Sequence, residues 1–220
     1  MADKIELFIF DMDGLMIDTE RLSQQCWRQV AQNYGYELPQ RIFDRIIGMD
    51  NRRIVDVFKD ELGADYPYEK IYKEKSILAG EYVEAHGVPV KAGLMECLDF
   101  VRDHDLHCAV ASSTRRDRVC YYLEKIGILD RFGLIQSGED IKHGKPQPDI
   151  FLTVCEKMGI EPAHAVVLED STNGLLAAKV AGIRSIWIPD LCVVPDEVTQ
   201  TVWHRGKTLA DVPRMVAPLV

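Results

Sequence analysis

The sequence predicts an α/β protein in which a Rossmann-like, doubly wound parallel sheet carries an inserted all-α domain. Three observations support this fold class. Residues 5–10 form an almost uninterrupted apolar run, which is typical of a strand buried on both faces of a parallel sheet. Beyond residue 93, short apolar runs alternate with longer helical patterns, as they do in α/β folds. Between these regions, residues 19–88 show four helical patterns and no strand-like run.

The first predicted strand ends in two acidic residues separated by one position, Asp11 and Asp13. If the chain stays extended, both side chains project to the same side, because side chains alternate along a strand. Gly14 then allows the backbone to turn sharply. Open α/β sheets bind ligands at the carboxyl ends of their strands, so this is a candidate site. The competing interpretation is a solvated turn, in which Asp and Gly are common.

The chemistry of two neighbouring carboxylates favours a site over a turn. The two groups repel each other unless a cation lies between them, and Mg²⁺ is a hard cation that prefers oxygen ligands. A carboxylate is ionised at pH 7, since its reference pKa is about 3.9, and it can attack an electrophile without a base. A second carboxyl group can donate a proton to the leaving group and later accept one from water.

Four helices are predicted between residues 19 and 88 from start signals followed by apolar residues at helical spacing. The starts are marked by Thr19, Pro39, Asn51 and Pro67. The ends are marked by Gly35, Gly48, Gly63 and Gly87. The apolar residues at these spacings are typical of a helical core. We therefore predict a helical domain at residues 19–88, inserted into an α/β domain of residues 1–18 and 89–220.

The rest of the chain alternates between predicted helices and strands. The strands are at residues 106–111, 134–135, 165–168 and 185–189. The helices are at residues 94–104, 115–126, 148–158 and 173–181, with a weaker pattern at 211–216. Such alternation implies right-handed crossovers and therefore a parallel sheet with helices on both faces.

The composition is that of a globular protein and excludes some classes of partner. A net charge of −9 opposes binding to nucleic acid or to an anionic membrane surface. No apolar run reaches the ~20 residues of a membrane span, and the first residues lack a signal-peptide pattern. The six cysteines show no C-x-x-C spacing, which opposes a zinc site or a dithiol motif. We predict a cytoplasmic protein with a small-molecule partner; the oligomeric state stays open.

Polar residues follow three of the predicted strands, and a lysine lies in a loop flanked by prolines. This set consists of Asp11, Asp13, Ser112, Ser113, Lys145, Glu169 and Asp170. Each has an ordinary interpretation when taken alone: Ser112 can cap a helix, Lys145 can be a surface charge, and acidic residues favour helix starts. Together they supply the carboxylates, hydroxyl and cation that Mg²⁺-assisted phosphoryl transfer requires.

The order of these motifs resembles the haloacid dehalogenase superfamily over essentially the whole chain. The sequence contains D-x-D-G at Asp11–Gly14, a strand that ends in Ser112, G-K-P-x-P around Lys145, and the pair Glu169-Asp170. The helical insertion after Asp18 is similar to that of the branch containing β-phosphoglucomutase and many small-molecule phosphatases. This resemblance implies a helical cap domain and a haloacid dehalogenase-like core.

The resemblance also implies roles for the acidic residues. Asp11 would be the nucleophile that forms an aspartyl-phosphate, and Asp13 would be the general acid and then the base for water. Mg²⁺ would be the cofactor, bound by Asp11, Asp170 and the backbone carbonyl of Asp13. Glu169 would bind the metal directly or through a water molecule.

Further roles concern the substrate, which the resemblance implies to be a small phosphorylated metabolite. Ser112, Ser113 and Lys145 would hold the phosphoryl oxygens, and Lys145 would also offset the clustered negative charge. The helical cap would supply specificity contacts, for which Thr19 and Arg52 are candidates.

Within this family, the residues favour a phosphatase. Dehalogenases of the family lack the second aspartate, so Asp13 favours phosphoryl transfer. β-Phosphoglucomutase carries a histidine where this chain has Ser23, and an arginine where it has Asn51, although Arg52 and Arg53 follow. We predict a Mg²⁺-dependent phosphatase of small phosphomonoesters, with a phosphosugar mutase as the alternative.

A phosphorylatable signalling receiver combines similar residue types on a parallel sheet and belongs to a different functional class. Its acceptor aspartate lies on a mid-chain strand, and it has no large helical insertion. The position of Asp11 on the first strand therefore opposes this interpretation, and turnover of p-nitrophenyl phosphate would distinguish the two.

Overall fold

The computed structural model describes residues 4–46 and 51–220, and for residues 51–53 it describes the backbone alone. The chain folds into two compact units. One is Asp18–Pro89, and the other combines Met1–Ile17 with Val90–Val220. Each unit contains its own cluster of buried apolar side chains.

The described part of the Asp18–Pro89 unit consists of four helices. They are α1 (Thr19–Asn33), α2 (Gln40–Ile46), α3 (Asn51–Leu62) and α4 (Tyr68–His86). Aromatic side chains from three of them meet at the centre. The rings of Trp27 and Phe58 stack at a centroid distance of 4.7 Å, and Tyr68 packs against both. Such ring pairs add to the stability that burial of their apolar area provides.

The start of α1 differs from the prediction. Asp18, not Thr19, occupies the N-cap position, and its side chain makes no capping hydrogen bond. Its two carboxylate oxygens instead accept hydrogen bonds from Nη1 of Arg21, both at 2.9 Å. A favourable ion pair between residues three apart thus engages the side chain that would otherwise cap the helix. The predicted end of the second helix at Gly48 lies outside the described residues.

The other unit is built on a parallel sheet, which comprises six strands within the described residues. They are β1 (Leu7–Phe10), β2 (His107–Ser112), β3 (Leu134–Ser137), β4 (Ala165–Glu169), β5 (Arg184–Trp187) and β6 (His204–Arg205). Their order across the sheet is β3-β2-β1-β4-β5-β6. The short strand β6 was not predicted, because two residues are too few to form a recognisable apolar run.

Helices connect these strands and complete the α/β architecture. The longer ones are α5 (Leu94–Asp103), α6 (Arg116–Lys125), α7 (Asp149–Met158) and α8 (Thr172–Ala181), followed by short α9 (Asp196–Thr199) and α10 (Val212–Val216). These elements confirm the predicted fold class. None of the described helices has the length and hydropathy that a membrane-spanning segment requires.

The position of β1 explains both its composition and the location of the site. All four of its residues are buried, and Leu7 and Ile9 pack with Phe151 of α7 and Ala178 of α8. Strand β1 lies between β2 and β4, so the strand order reverses at this point. Such a reversal opens a crevice at the carboxyl ends of the strands, where α/β sheets bind ligands.

Candidate active site

The strand register brings the ends of β1, β2 and β4 together. Phe10, the last residue of β1, pairs with Val110 of β2 and with Leu168 of β4. One position further along the chain, Asp11 is therefore level with Glu169. The backbone N–H of Asp11 also donates to the carbonyl of Leu168 at 3.0 Å. The acidic residues at the ends of β1 and β4 consequently lie at one edge of the sheet.

Lys145 joins these strand ends through its ammonium group. Nζ donates to Oδ1 of Asp11 at 2.6 Å, to Oε1 of Glu169 at 2.7 Å and to the carbonyl of Ala111 at 3.1 Å. An ammonium group has three N–H donors, so all three are engaged. Only 6% of the side chain is exposed. Burial disfavours the charged form, but the two carboxylates raise the pKa of Lys145 above its ordinary value.

Glu169 supports Lys145 and is itself fully buried. Its Oε2 accepts hydrogen bonds from the backbone N–H groups of Asp170 and Ser171, at 2.9 and 2.8 Å, and from the Ser171 hydroxyl at 2.9 Å. Gly174 leaves room for this carboxylate, since a Cβ there would lie 1.6 Å from Oε1. Both oxygens therefore accept hydrogen bonds, and Glu169 positions Lys145. Binding of the metal by Glu169, directly or through a water molecule, stays a prediction.

Asp170 is packed closely against the loop that follows β1. A Cβ on Gly14 would lie 2.4 Å from Oδ2 of Asp170, and Gly14 has a φ of 85°. A glycine is required here both for this close approach and for the left-handed conformation. The indole Nε1 of Trp187 donates to the backbone carbonyl of Asp170 at 3.3 Å. Burial, reinforced by the charges of Glu169 and Asp11, raises the pKa of Asp170 well above its ordinary value.

Asp11 has a similar electrostatic environment. Burial raises its pKa to about 7, an effect that the Lys145 ammonium opposes and the charges of Glu169 and Asp13 reinforce. The charged forms of Asp11 and Asp170 are thus both disfavoured by burial and by their acidic neighbours. A further cation at this edge would stabilise both carboxylates.

Asp13 receives a hydrogen bond from a residue that was not among the predicted site residues. Oγ1 of Thr114 donates to Oδ2 of Asp13 at 2.7 Å. The backbone N–H of Thr114 donates to Oγ of Ser112 at 3.0 Å, and Ser112 is buried whereas Ser113 is exposed. The one signal for Thr114 was its position two residues beyond the end of β2. The turn after β2 therefore orients Asp13 as well as supplying the predicted hydroxyls.

The donor set at this edge fits Mg²⁺. Within residues 4–46 and 51–220, no three acidic, histidine or cysteine side chains form a cluster that could bind a metal by themselves. Mg²⁺ does not require such a cluster, because it usually takes one or two carboxylates and completes its shell with water and substrate phosphate. Asp11 and Asp170 are two buried carboxylates whose charges need compensation. Oxygen donors of this kind favour Mg²⁺ over zinc.

The two residues predicted from the helical domain, Thr19 and Arg52, belong to the Asp18–Pro89 unit. Thr19 is the first residue of α1. The side chain of Arg52 lies outside the described residues, as does that of Asn51. Contact of Thr19 or Arg52 with the substrate therefore stays a prediction.

Comparisons with known proteins extend these observations. The sequence model of the family described as haloacid dehalogenase-like hydrolase matches residues 8–188. The chain is 32% identical to phosphorylated carbohydrates phosphatase of Thermotoga maritima over 187 residues, covering 83% of this chain and 84% of that protein. It is 29% identical to hexitol phosphatase B of Escherichia coli over 182 residues, covering 82% of each.

A solved structure from Thermotoga maritima is also similar. That protein, provisionally identified as a beta-phosphoglucomutase, has 26% sequence identity and a TM-score of 0.82, and the match covers 98% of this chain and all of that one (100%). The folds agree over both units of the chain.

Proposed function

The chain belongs to the haloacid dehalogenase-like hydrolase family and is a phosphoric monoester hydrolase, and we propose that it hydrolyses small sugar phosphates with Mg²⁺ through an aspartyl-phosphate. The observation that carries the proposal is the buried carboxylate of Asp11 at the end of the central strand. Its Oδ1 accepts a hydrogen bond from Nζ of Lys145 at 2.6 Å, and Asp13 follows two residues later. The sugar class follows from the relatives, which are phosphatases of phosphorylated carbohydrates and hexitols.

The proposed reaction has two steps that Asp11 and Asp13 share. In the first, a carboxylate oxygen of Asp11 attacks phosphorus, the bond to the sugar oxygen breaks, and Asp13 donates a proton to that oxygen. In the second, Asp13 accepts a proton from water, and the water oxygen attacks phosphorus. The bond between phosphorus and Asp11 then breaks, which releases phosphate and restores the Asp11 carboxylate.

Other residues hold these groups in place. Lys145 orients Asp11 and offsets its charge, and Glu169 fixes Lys145. A phosphoryl oxygen contacting Lys145 would replace one of its three present acceptors. Mg²⁺, bound by Asp11, Asp170 and the carbonyl of Asp13, would offset the charge of the phosphoryl oxygens. The helical unit is proposed to act as the cap that selects the substrate, a role that the family resemblance supports.

A phosphosugar mutase is the second candidate, favoured by the similarity to the Thermotoga maritima structure. The position of Ser23 opposes it, because the mutase carries a histidine there. Oγ of Ser23 accepts a hydrogen bond from Nζ of Lys75 at 2.9 Å. A serine hydroxyl does not titrate near neutral pH as an imidazole does, so this position cannot supply the same chemistry.

Product analysis tests the proposed function. The protein is given a hexose 1-phosphate with Mg²⁺ and a catalytic amount of hexose bisphosphate, and inorganic phosphate and isomerised hexose phosphate are followed together. We expect phosphate to form faster than the isomer. The reverse order would establish the mutase, and no phosphate from a panel of sugar phosphates would contradict the phosphatase.

Loss of the Thr114 hydroxyl is expected to impair proton transfer by Asp13. We expect Thr114→Val to lower kcat about tenfold, because the Asp13 carboxylate loses a 2.7 Å hydrogen bond that fixes its orientation. Thr114→Ser retains the hydroxyl and should restore most of the activity. Steady-state kinetics on a sugar phosphate measure both variants, and equal kcat values for Thr114→Val and the wild type would refute this role.

Metal removal is expected to abolish turnover. It should also destabilise the folded protein, because the buried Asp170 charge then lacks its cation. The pKa of Asp170 is raised on folding, so in chelator its charge destabilises the folded protein increasingly as the pH rises above about 4. Asp170→Asn should therefore melt at a higher temperature than the metal-free wild type at pH 8, and the difference should shrink towards pH 4. Mg²⁺ should raise the melting temperature of the wild type but not of the variant.

Thermal melting with and without chelator measures these effects, together with activity in the same buffers. Full turnover after verified removal of divalent ions would contradict the metal requirement. A melting temperature of Asp170→Asn below that of the wild type at pH 8 in chelator would contradict the electrostatic argument.

A further inference from the structure

A partly buried ion pair lies beside the acidic edge and has no part in the proposed reaction. Nζ of Lys91 and Oδ1 of Asp190 are 2.6 Å apart, and their side chains are 19% and 3% exposed. Lys91 lies two residues after the end of the helical unit, and Asp190 lies three residues after the end of β5. Strand β5 pairs with β4, which ends in Glu169. The ion pair therefore lies along the same sheet edge as the site.

Lys91 is bonded to the loop that packs against Asp170, and Asp190 acts on Asp170 through its charge. The backbone N–H of Lys91 donates to the carbonyl of Met16 at 2.9 Å. Met16 belongs to the loop in which Gly14 packs against the carboxylate of Asp170. On the other side, the negative charge of Asp190 acts on Asp170. Asp190 thus acts on the proposed metal ligand through its charge, and Lys91, which is paired with Asp190, is joined to the loop that packs against the same carboxylate.

The formal charges of these named residues do not balance. Two lysines, Lys91 and Lys145, are set against five acidic residues, which are Asp11, Asp13, Glu169, Asp170 and Asp190. Lys145 compensates Asp11 and Glu169, whereas Lys91 compensates Asp190. A divalent cation reduces the remaining negative charge, and the size of that charge depends on Lys91 and Asp190.

We propose that Lys91 and Asp190 form a charge-setting pair, whose charges adjust the affinity of this sheet edge for its divalent cation. This inference rests on the proposed metal dependence of the enzyme. Without the Asp190 charge, Lys91 becomes an uncompensated cation that repels the metal. Without Lys91, Asp190 becomes an uncompensated anion that attracts the metal. The two changes act in opposite directions, whereas loss of a purely structural contact would weaken metal binding in both cases.

Calorimetric titration of the full-length, metal-stripped protein with MgCl₂ tests the proposal, without substrate and at constant ionic strength. We expect Asp190→Asn to raise the Kd for Mg²⁺ about tenfold, and Lys91→Met to lower it about threefold. The double variant Lys91→Met/Asp190→Asn should bind Mg²⁺ with a Kd about threefold above that of the wild type, because the two opposing effects largely offset each other.

Two further variants serve as matched controls. Lys91→Arg retains the positive charge and should leave the Kd within about twofold of the wild type. Arg102→Met removes one member of an exposed ion pair with Asp99 on α5 and should also leave the Kd unchanged. Lys91→Met leaves Asp190 buried without its cation and can fail to fold for that reason. In that case, the Kd values of Asp190→Asn and of the double variant are compared with that of the wild type.

The possible outcomes separate this proposal from the proposed function. Weaker Mg²⁺ binding in both single variants, or no change beyond about twofold in Asp190→Asn, would overturn the charge-setting role. A wild type that binds no Mg²⁺ would overturn this role together with the metal part of the proposed function. A wild type that binds Mg²⁺ but hydrolyses no sugar phosphate would overturn the proposed function and leave the charge-setting role intact.

Discussion

Asp11→Asn is expected to reduce turnover of a sugar phosphate at least ~10³-fold while the protein stays folded. The amide has nearly the same shape as the carboxylate but is a poor nucleophile, so the covalent route is lost rather than weakened. The fold should persist, because the amide oxygen can still accept the hydrogen bond from Lys145 that Oδ1 accepts at 2.6 Å in the wild type. Steady-state kinetics and circular dichroism measure the two effects.

A matched variant separates this effect from a general loss of negative charge. Asp117 lies in the first turn of α6, where 68% of its side chain is exposed and it pairs with Arg115. Asp117→Asn should therefore retain activity within about twofold of the wild type. Activity of Asp11→Asn within tenfold of the wild type would rule out Asp11 as the nucleophile.

Lys145→Met is expected to impair both activity and stability. The change leaves the carboxylates of Asp11 and Glu169 buried without their shared cation. Breaking a buried ion pair from one side costs about 3–5 kcal/mol of unfolding free energy, so a large drop in denaturation midpoint is expected. Turnover should fall at least ~10²-fold, because Asp11 loses the group that orients it and offsets its charge.

A second substitution tests whether the stability loss comes from the unpaired charge. Lys145→Met/Glu169→Gln removes one of the two stranded carboxylates and should recover part of the lost stability without recovering activity. The exposed neighbour Lys142 provides the control, since Lys142→Met should change neither property. Equal unfolding free energies for Lys145→Met and the wild type would contradict the neutralising role of Lys145.

Much of the fold was predictable because it depends on patterns local in the sequence. Strand β1 is buried on both faces, and burial on both faces requires the continuous apolar run that is seen in its sequence. The alternation of strands and helices after residue 93 predicted a parallel sheet, which the structure confirms. The motifs at the strand ends predicted the family, which the match over residues 8–188 confirms. The short strand β6 was not predicted, because two residues are too few to show an apolar or alternating pattern.

The sheet edge that gathers the acidic residues was also predictable, since parallel strands present their carboxyl ends together. Sequence patterning could therefore place Asp11 and Glu169 near each other without coordinates. It could not assign their partners. For Glu169, predicted as a metal ligand, only the structure shows that two backbone N–H groups and the Ser171 hydroxyl donate to one oxygen and Lys145 to the other. Its contact with the metal stays a prediction.

By itself, the sequence determined the fold class, the family and the residue types at the site, because each follows from local periodicity or from motif order. The tertiary structure decided how the charges are paired. Lys145 and Asp11 are 134 residues apart in the chain, Thr114 and Asp13 are 101 apart, and Lys91 and Asp190 are 99 apart. Such pairs form because strand register and loop packing bring distant side chains within hydrogen-bond distance. For Lys145 and Asp11, burial makes the pairing matter most, since a buried charge without a partner is costly.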